Sequence, residues 1–254
     1  MYREKDIIPL IFKILFKHYS HQGWWPIFDL GKNISLYRKG KYLPEKKETF
    51  EIAVGAILTQ NTSWKNAEKA LGELKKKGYL TPLKIINSDN ENLYEMIRSS
   101  GYFRQKAEKL KTFSLWFLNN EKDIFKKDPM NLRNDLLKLK GVGKETADSI
   151  VLYALGGKIF VIDSYSRRIY SRITGDCKKY EYDELRKIFE NNLPSELKIY
   201  NEFHALIVKL AKEICQKRNP LCEKCPLKKI CRFKRRKDEQ GKNENREISG
   251  TRKH

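Results

Sequence analysis

Four cysteines near the C-terminus have the residue type and spacing that most directly indicate chemistry. Cys215, Cys222, Cys225 and Cys231 follow the spacing C-x6-C-x2-C-x5-C. Four thiolates in so short a span favour a metal centre, and both zinc and an iron–sulfur cluster use such ligands. Zinc sites usually pair two short knuckles, whereas here Cys222 and Cys225 form the single short pair. Cys177 lies outside the pattern and is interpreted as an ordinary small side chain.

A second segment whose residues could bind a ligand is the glycine-containing turn within Leu139–Ala147 (LKGVGKETA). Gly141 and Gly143 permit positive φ and a close approach of the backbone to a ligand. Backbone N–H groups at such a turn, beside a helix N-terminus, point at an anion, and Lys144 adds positive charge. The pattern favours a nucleic-acid phosphate site, although G-x-G alone fits an ordinary glycine-capped helix–helix turn equally well.

The segment around this turn carries a family resemblance. Leu139–Arg168 contains the turn, then Gly156-Gly157, then Val161-Ile162-Asp163. It resembles the helix-hairpin-helix, Gly/Pro-rich loop and aspartate motif of the endonuclease III superfamily of DNA glycosylases. The resemblance includes Phe50–Thr62 (FEIAVGAILTQNT) and Gly101–Ala107 (GYFRQKA) and continues through the cysteines, whose wide first gap is similar to the superfamily's [4Fe-4S] loop. It therefore implies a [4Fe-4S] cluster as cofactor.

Asp163 corresponds, by this resemblance, to the catalytic aspartate of the superfamily. Cleaving an N-glycosidic bond builds positive charge on the sugar, and a fixed carboxylate stabilises that charge or orients a water molecule. The following Ser164–Arg167 also looks like a helix start, where Asp is a favoured N-cap. The two roles are compatible.

One position departs from the superfamily pattern. Members that also nick the backbone have a lysine whose amine forms a Schiff base, where this chain has Glu145. A carboxylate cannot form an imine, and Lys144 is one residue off, a rotation of roughly 100° on a helix. The departure predicts a monofunctional glycosylase, with a bifunctional glycosylase/AP lyase as the alternative. We also include Glu145 in the base pocket, although the helix dipole alone favours an acid there.

The aromatic residues bear on which base is removed. Losing the lysine costs least when the base is a good leaving group, as a cationic N-alkylated purine such as 3-methyladenine is. A cation over a π ring gains roughly 0.5–2 kcal/mol, and Trp24, Trp25 and Trp64 are the candidates. Core packing is the commoner fate of tryptophan, and the adjacent Trp24 and Trp25 are expected to point apart. Together these motifs resemble the 3-methyladenine glycosylase branch.

Two further residues match positions that act on the DNA stack in the superfamily. Gln60 lies where relatives fill the gap left by a flipped-out base, and flipping costs a few kcal/mol. Gln60 could equally cap or pack a helix end. Tyr102, after Gly101, matches the position of a second wedge.

The charge balance indicates a polyanionic partner. Lys and Arg total 53 against 32 Asp and Glu, a formal net charge of +21 over 254 residues. Phosphate binding with counterion release favours such a surface, although thermophile proteins also have Lys/Glu-rich surfaces. With the resemblance, this predicts a monomer that binds double-stranded DNA containing a damaged base. The presence of Asp163 disfavours the remaining alternative, a non-catalytic DNA-binding or redox-sensing protein on the same scaffold.

The compartment follows from what the chain lacks in sequence terms. No apolar run is long enough to span a bilayer, and Met1–Leu15 reads as an amphipathic helix without a cleavage site. We therefore expect no membrane partner and a cytoplasmic protein, associated with the nucleoid if the source is prokaryotic.

The elements that position these residues are predicted to be short helices, so the fold class is all-α. Apolar residues recur at helical spacing, and Gly and Pro fall between the stripes. We expect Ile159–Ile162 to be a short connector. The resemblance implies two helical lobes with the DNA cleft between them: a six-helix barrel with the hairpin (43–156), and a cluster lobe (1–42 with 157–231), followed by a flexible basic tail (232–254). The stripes are Ile7, Ile8, Ile11 and Leu15; Phe50, Val54, Ile57 and Leu58; and Leu132, Leu136 and Leu139.

Overall fold

Helices separated by tight turns make up most of the protein, which confirms the all-α prediction. The computed structural model describes residues 4–176 and 178–234, so Cys177 and residues 235–254 of the predicted tail lie outside the described residues. The elements are α1 (Glu4–Tyr19), β1 (Ile27–Asp29), β2 (Ile34–Leu36), α2 (Lys46–Leu58), α3 (Trp64–Lys76), α4 (Pro82–Ile86), α5 (Asn90–Ile97), α6 (Phe103–Asn120), α7 (Pro129–Leu137), α8 (Lys144–Ser149), α9 (Ser164–Thr174), α10 (Tyr182–Asn191) and α11 (Leu197–Glu213). Within the described ranges, no helix is long and apolar enough to cross a membrane.

The chain forms two compact units. The first comprises Met1–Ser20, Ile162–Pro194 and Phe203–His254, and the second comprises His21–Val161 and Ser195–Glu202. Helix α11 therefore contributes residues to both units. Residues 21–42, which the resemblance placed in the cluster lobe, group with the second unit, where their strands are bonded to α2 and α3.

The core of the first unit is built on the predicted stripe of α1. Ile7, Ile8, Ile11 and Leu15 are all buried. The ring of Phe12 lies 5.4 Å from that of Phe203 on α11. This packing anchors the part of α11 that follows residue 202, and α9 begins in the same unit immediately after Asp163.

The second unit contains a β-hairpin that the sequence pattern did not predict. Strands β1 and β2 pair antiparallel, with Ile27 opposite Leu36. Each strand has three residues, too few for an alternation of period two to be recognised. The β-hairpin is attached to α2 and α3 through the backbone of Phe28. The Phe28 N–H donates to the buried carboxylate of Glu51 on α2 at 2.7 Å, and Lys75 on α3 donates to the Phe28 carbonyl at 2.6 Å.

The predicted helix-hairpin-helix consists of α7, the turn at residues 138–143, and α8. Helix α8 begins at Lys144, because Gly143 takes the extended N-cap conformation. After α8 the chain continues as a π-helical turn, Ile150–Ala154, whose side chains are all buried. As expected, Ile159–Ile162 form a buried connector without regular structure.

Candidate active site and cysteine cavity

Asp163 is the N-cap residue of α9, and its two carboxylate oxygens have different surroundings. Oδ1 accepts the backbone N–H of Ser166 at 2.7 Å and the Ser166 hydroxyl at 2.9 Å. Oδ2 lies 3.5 Å from Nε2 of His204 on α11, and the Asp163 side chain is 12% exposed. The carboxylate is therefore fixed by its cap bonds while one oxygen keeps capacity to accept further bonds.

The charge state of Asp163 follows from these contacts. Burial by itself raises the pKa of a carboxyl group, but the donors on His204 and Ser166 outweigh burial and lower the pKa of Asp163 below its ordinary value. Asp163 is consequently an anion at neutral pH. A buried, fixed anion of this kind can stabilise positive charge that develops on a substrate.

The three tryptophans named from the sequence form one cluster in the second unit. The ring centroids of Trp24 and Trp25 are 5.4 Å apart, and Trp64 lies 5.8 Å from Trp24 and 5.5 Å from Trp25. The expectation that Trp24 and Trp25 point apart is wrong, because both rings contact Trp64 at the start of α3. Tyr37 adds a ring 5.6 Å from Trp24, and Tyr153 adds one 5.4 Å from Trp25.

Burial differs across this cluster. Trp25 is 9% exposed and Tyr153 1% exposed, so they belong to the core, as the commoner fate of aromatic residues suggests. Trp24 and Trp64 are half-buried, and Tyr37 is 46% exposed. The accessible side of the cluster is thus an aromatic surface that can accept a planar or cationic ring.

The turn between α7 and α8 has one glycine that needs its conformational freedom. Gly141 has φ of +83°, and a Cβ there would collide with the Lys109 side chain. Gly143 has φ of −88° and does not use the positive φ that glycine permits. It adopts an extended N-cap conformation that is open to L residues. Gly143, Lys144 and Glu145 are exposed, which leaves the start of α8 accessible to an anion.

Gln60 is bonded to the same turn. Its Nε2 donates to the Thr146 hydroxyl at 2.9 Å and to the Gly141 carbonyl at 3.2 Å. Its Oε1 accepts from Nζ of Lys109 on α6 at 2.6 Å. Of the two roles predicted for Gln60, these bonds support packing against a helix start, and they connect the end of α2 to the hairpin.

The four cysteines of the C-x6-C-x2-C-x5-C pattern line one small cavity in the first unit. The pattern begins directly after α11 and includes a short 3₁₀ turn at Cys222–Lys224. Arg172 of α9 donates to Sγ of Cys215 at 3.3 Å and to the Gln216 carbonyl at 2.7 Å. The sequence prediction that these thiols converge is thereby supported by their positions.

The thiols are close enough to influence one another. Burial and, to a smaller extent, the charges of the other three cysteines together raise the pKa of Cys225 to about 11. Thiols that oppose each other's ionisation are suited to a positively charged centre, which stabilises thiolates. In the described part of the chain, no three His, Cys, Asp or Glu side chains are close enough together to hold a metal ion.

Each unit brings together a different part of the predicted site. The first contains Asp163 with the four cysteines, and the second contains the tryptophan cluster, Gln60 and the hairpin turn. Sequence reasoning missed His204 and Lys109. His204 could have been found from the sequence, because it interrupts the apolar run Phe203–Val208 and a buried imidazole needs a polar partner. Lys109 carries no comparable signal.

Comparison with known proteins agrees with this arrangement. Residues 54–195, more than half of the chain, match the HhH-GPD superfamily base excision DNA repair protein. A candidate DNA repair glycosylase of Methanocaldococcus jannaschii is 43% identical over 231 residues, covering 89% of this chain and 96% of that protein. Endonuclease III of Thermotoga maritima is 33% identical over 193 residues, covering 75% of this chain and 87% of that enzyme.

A solved structure gives the same result for the fold. The H. pylori 3-methyladenine DNA glycosylase bound to 1,N6-ethenoadenine superposes with a TM-score of 0.64 at 26% identity, over 84% of this chain and 98% of that one. The range matched by the family, residues 54–195, includes the helix-hairpin-helix and Asp163. The chain therefore belongs to the HhH-GPD superfamily of base excision DNA repair proteins and is a DNA glycosylase of the endonuclease III family.

Proposed function

We propose that the protein hydrolyses the N-glycosidic bond of an alkylated purine, such as 3-methyladenine, in double-stranded DNA and leaves an abasic site. The observation that carries the proposal is the anionic, fixed carboxylate of Asp163 combined with a carboxylate, Glu145, at the hairpin position where strand-nicking relatives have an amine. Asp163 faces the positive charge that develops on the sugar as the base leaves. Glu145 cannot form a Schiff base, so water completes the reaction.

The tryptophan cluster supports a cationic, planar base as substrate. Trp24 and Trp64 are half-buried and present ring faces beside Tyr37. A cationic base gains cation–π attraction from such faces, and its positive charge also makes it a good leaving group. The H. pylori relative, which is bound to a modified adenine, is consistent with an alkylpurine pocket in this chain.

The hairpin and the charge of the chain support duplex DNA as the partner. Gly141, Gly143 and Lys144 form an exposed turn at a helix N-terminus, where a phosphate binds without regard to base sequence. Tyr102 is 65% exposed at the start of α6 and would act as a wedge in the base stack. Gln60 would fill the gap left by the flipped base, in which case it exchanges its bonds to the hairpin for contacts with DNA.

The cavity lined by Cys215, Cys222, Cys225 and Cys231 supports a [4Fe-4S] cluster as resident cofactor. The four cysteines would be its ligands, and the cluster would cross-link a loop that otherwise has little apolar surface. The lysines and arginine of that loop would then face the DNA backbone; they are Lys217, Arg218, Lys224, Lys228 and Lys229. Cysteines kept as ligands and not as disulfides fit a reducing compartment, so we also propose that the protein is cytoplasmic. We further propose that it acts as a monomer.

Oligonucleotides with single lesions test the catalytic proposal. Strand breaks that appear only after alkali treatment, on alkylated purines, are the expected result. Breaks without alkali, together with borohydride trapping of a covalent complex, would establish the bifunctional alternative. Duplex binding with no release of any base would establish a non-catalytic DNA-binding protein.

Asp163→Asn is the matched variant for this assay. Asparagine keeps an oxygen that can accept the cap bonds from Ser166 but removes the negative charge. We expect the single-turnover rate to fall by at least about 100-fold, with DNA affinity retained. An Asp163→Asn protein that excises alkylpurines at the wild-type rate would remove Asp163 from the mechanism.

The cofactor proposal has an independent test. We expect the purified protein to be brown, to absorb near roughly 400 nm and to contain about four irons per chain without zinc. Cys225→Ser should lose the colour and the iron, whereas an iron-free wild-type protein that binds one zinc would contradict the cluster.

A further inference from the structure

His204 is a buried polar residue on α11 that meets the carboxylate of Asp163. It is 5% exposed within the apolar run Phe203–Val208. Its Nε2 lies 3.5 Å from Oδ2 of Asp163. That separation exceeds the ordinary 2.7–3.2 Å range of an N–H···O bond. Hydrogen bonds between active-site groups are often long without substrate and shorten in the reacting complex.

The two carboxylate oxygens of Asp163 have different hydrogen-bonding partners. Oδ1 already accepts two hydrogen bonds from Ser166, which fill its acceptor positions. In the described part of the chain, Oδ2 meets the His204 imidazole, at the longer distance given above. Oδ2 is therefore the oxygen with capacity left to interact with a substrate, and His204 is the side chain placed to aim it.

We propose that His204 is a positioning residue for the glycosylase reaction, whose Nε2–H donates to Oδ2 of Asp163 and fixes the rotation of that carboxylate toward the sugar. This inference rests on the proposed catalytic role of Asp163. His204 does not contact the substrate. A neutral imidazole with its proton on Nε2 is sufficient for the role, because what Oδ2 requires is one N–H donor at a fixed place.

Two substitutions separate this role from space filling. His204→Gln keeps an N–H donor that can reach the position of Nε2, whereas His204→Phe fills the volume without a donor. Glu213→Gln, at an exposed position on the same helix, is the control for general effects on α11. If phenylalanine is not accommodated in the folded protein, His204→Leu provides the donor-free comparison.

The measurements are the single-turnover excision rate, the Kd for duplex containing an uncleavable abasic analogue, and the Tm. For His204→Phe we expect the rate to fall on the order of 10- to 100-fold, with Kd and Tm close to wild type. His204→Gln should recover most of the rate. A donor-free variant that excises within twofold of wild type, or a His204→Gln variant as slow as His204→Phe, would overturn the proposal.

A spectroscopic measurement separates this proposal from the proposed function. If the wild-type protein releases no base from any lesion, the glycosylase proposal fails, and the His204 contact is then judged by carbon NMR titration of the Asp163 carboxyl group. Loss of a donor at Oδ2 should raise the pKa of Asp163 in His204→Phe but not in His204→Gln. An Asp163 pKa that is the same in all three proteins would refute the contact.

Discussion

Helices α7 and α8 of the helix-hairpin-helix are joined by a buried ion pair, and removing one of its partners should strongly lower the free energy of unfolding. Nε of Arg133 on α7 lies 2.6 Å from Oδ1 of Asp148 on α8, and the two side chains are 6% and 0% exposed. Arg133→Met removes this partner from a carboxylate that water does not reach. Breaking a buried pair in this way costs about 3–5 kcal/mol, a large part of the roughly 5–15 kcal/mol that a domain has in total.

The same helix offers a matched surface pair. Lys138 directly follows α7 and lies 2.9 Å from Asp135, with side chains 74% and 28% exposed. Lys138→Met removes a positive charge as Arg133→Met does, but the pair is solvated and worth about 0–1 kcal/mol. The difference between the two variants therefore isolates the effect of burial.

Urea unfolding followed by circular dichroism measures both changes, provided that the slope of the transition is unchanged. A second variant, Arg133→Met with Asp148→Val, replaces both charges by apolar groups and should recover most of the lost stability. If Arg133→Met costs less than about 1 kcal/mol, or if the double variant is less stable than Arg133→Met alone, the pair does not hold the hairpin as described.

Three further predictions concern the groups around the site. Gly141→Ala should destabilise the protein by about 1–2 kcal/mol and weaken duplex binding. Gly143 has φ of −88° and open space around it, so Gly143→Ala should change stability and binding much less. Equal effects of the two variants would contradict the conclusion that only Gly141 needs the conformational freedom of glycine. Glu202→Leu should cost about 1–3 kcal/mol and alter tryptophan fluorescence, because it removes the buried acceptor of the Gln22 N–H, two residues before Trp24. Burial lowers the pKa of Lys106 to about 8, so between about pH 8 and 10.5 the unfolded chain binds more protons at this residue than the folded protein does. The free energy of unfolding should therefore rise with pH in that window, by up to about 3 kcal/mol. Lys106→Met should abolish this rise in urea titrations, and an unchanged pH dependence in the variant would contradict the prediction.

Much of the fold was predictable because it depends on local patterns. The stripe Ile7, Ile8, Ile11 and Leu15 predicts the buried face of α1, and the glycine pair predicts the turn before α8. The hairpin of β1 and β2 was not predictable, because its position depends on one buried carboxylate, Glu51, that is distant in sequence. Long-range polar contacts of this kind leave no periodic signal.

The candidate site follows the same division. Spacing alone indicated that the four cysteines converge, since a short segment limits how far apart they can lie. The sequence did not predict that the rings of Trp24 and Trp25 lie together, because the direction of a side chain depends on the conformation of the surrounding loop. Trp64, at the start of α3, contacts both rings and completes the cluster. His204 lies 41 positions after Asp163 (204 minus 163), and their contact exists because α9 and α11 pack in the same unit.

Asp163 explains why residue type and position could not decide between a cap and a catalytic group. Both interpretations require a carboxylate directly before a helix, so they give the same sequence pattern. The structure separates them by oxygen: Oδ1 accepts the Ser166 bonds of the cap, and Oδ2 faces His204. The cap serves the proposed chemistry, because the Ser166 bonds that start α9 anchor Oδ1 and help to keep the carboxylate ionised. The helix cap and the proposed catalytic anion are therefore the same carboxylate, and Asp163→Asn tests the second role while preserving the first.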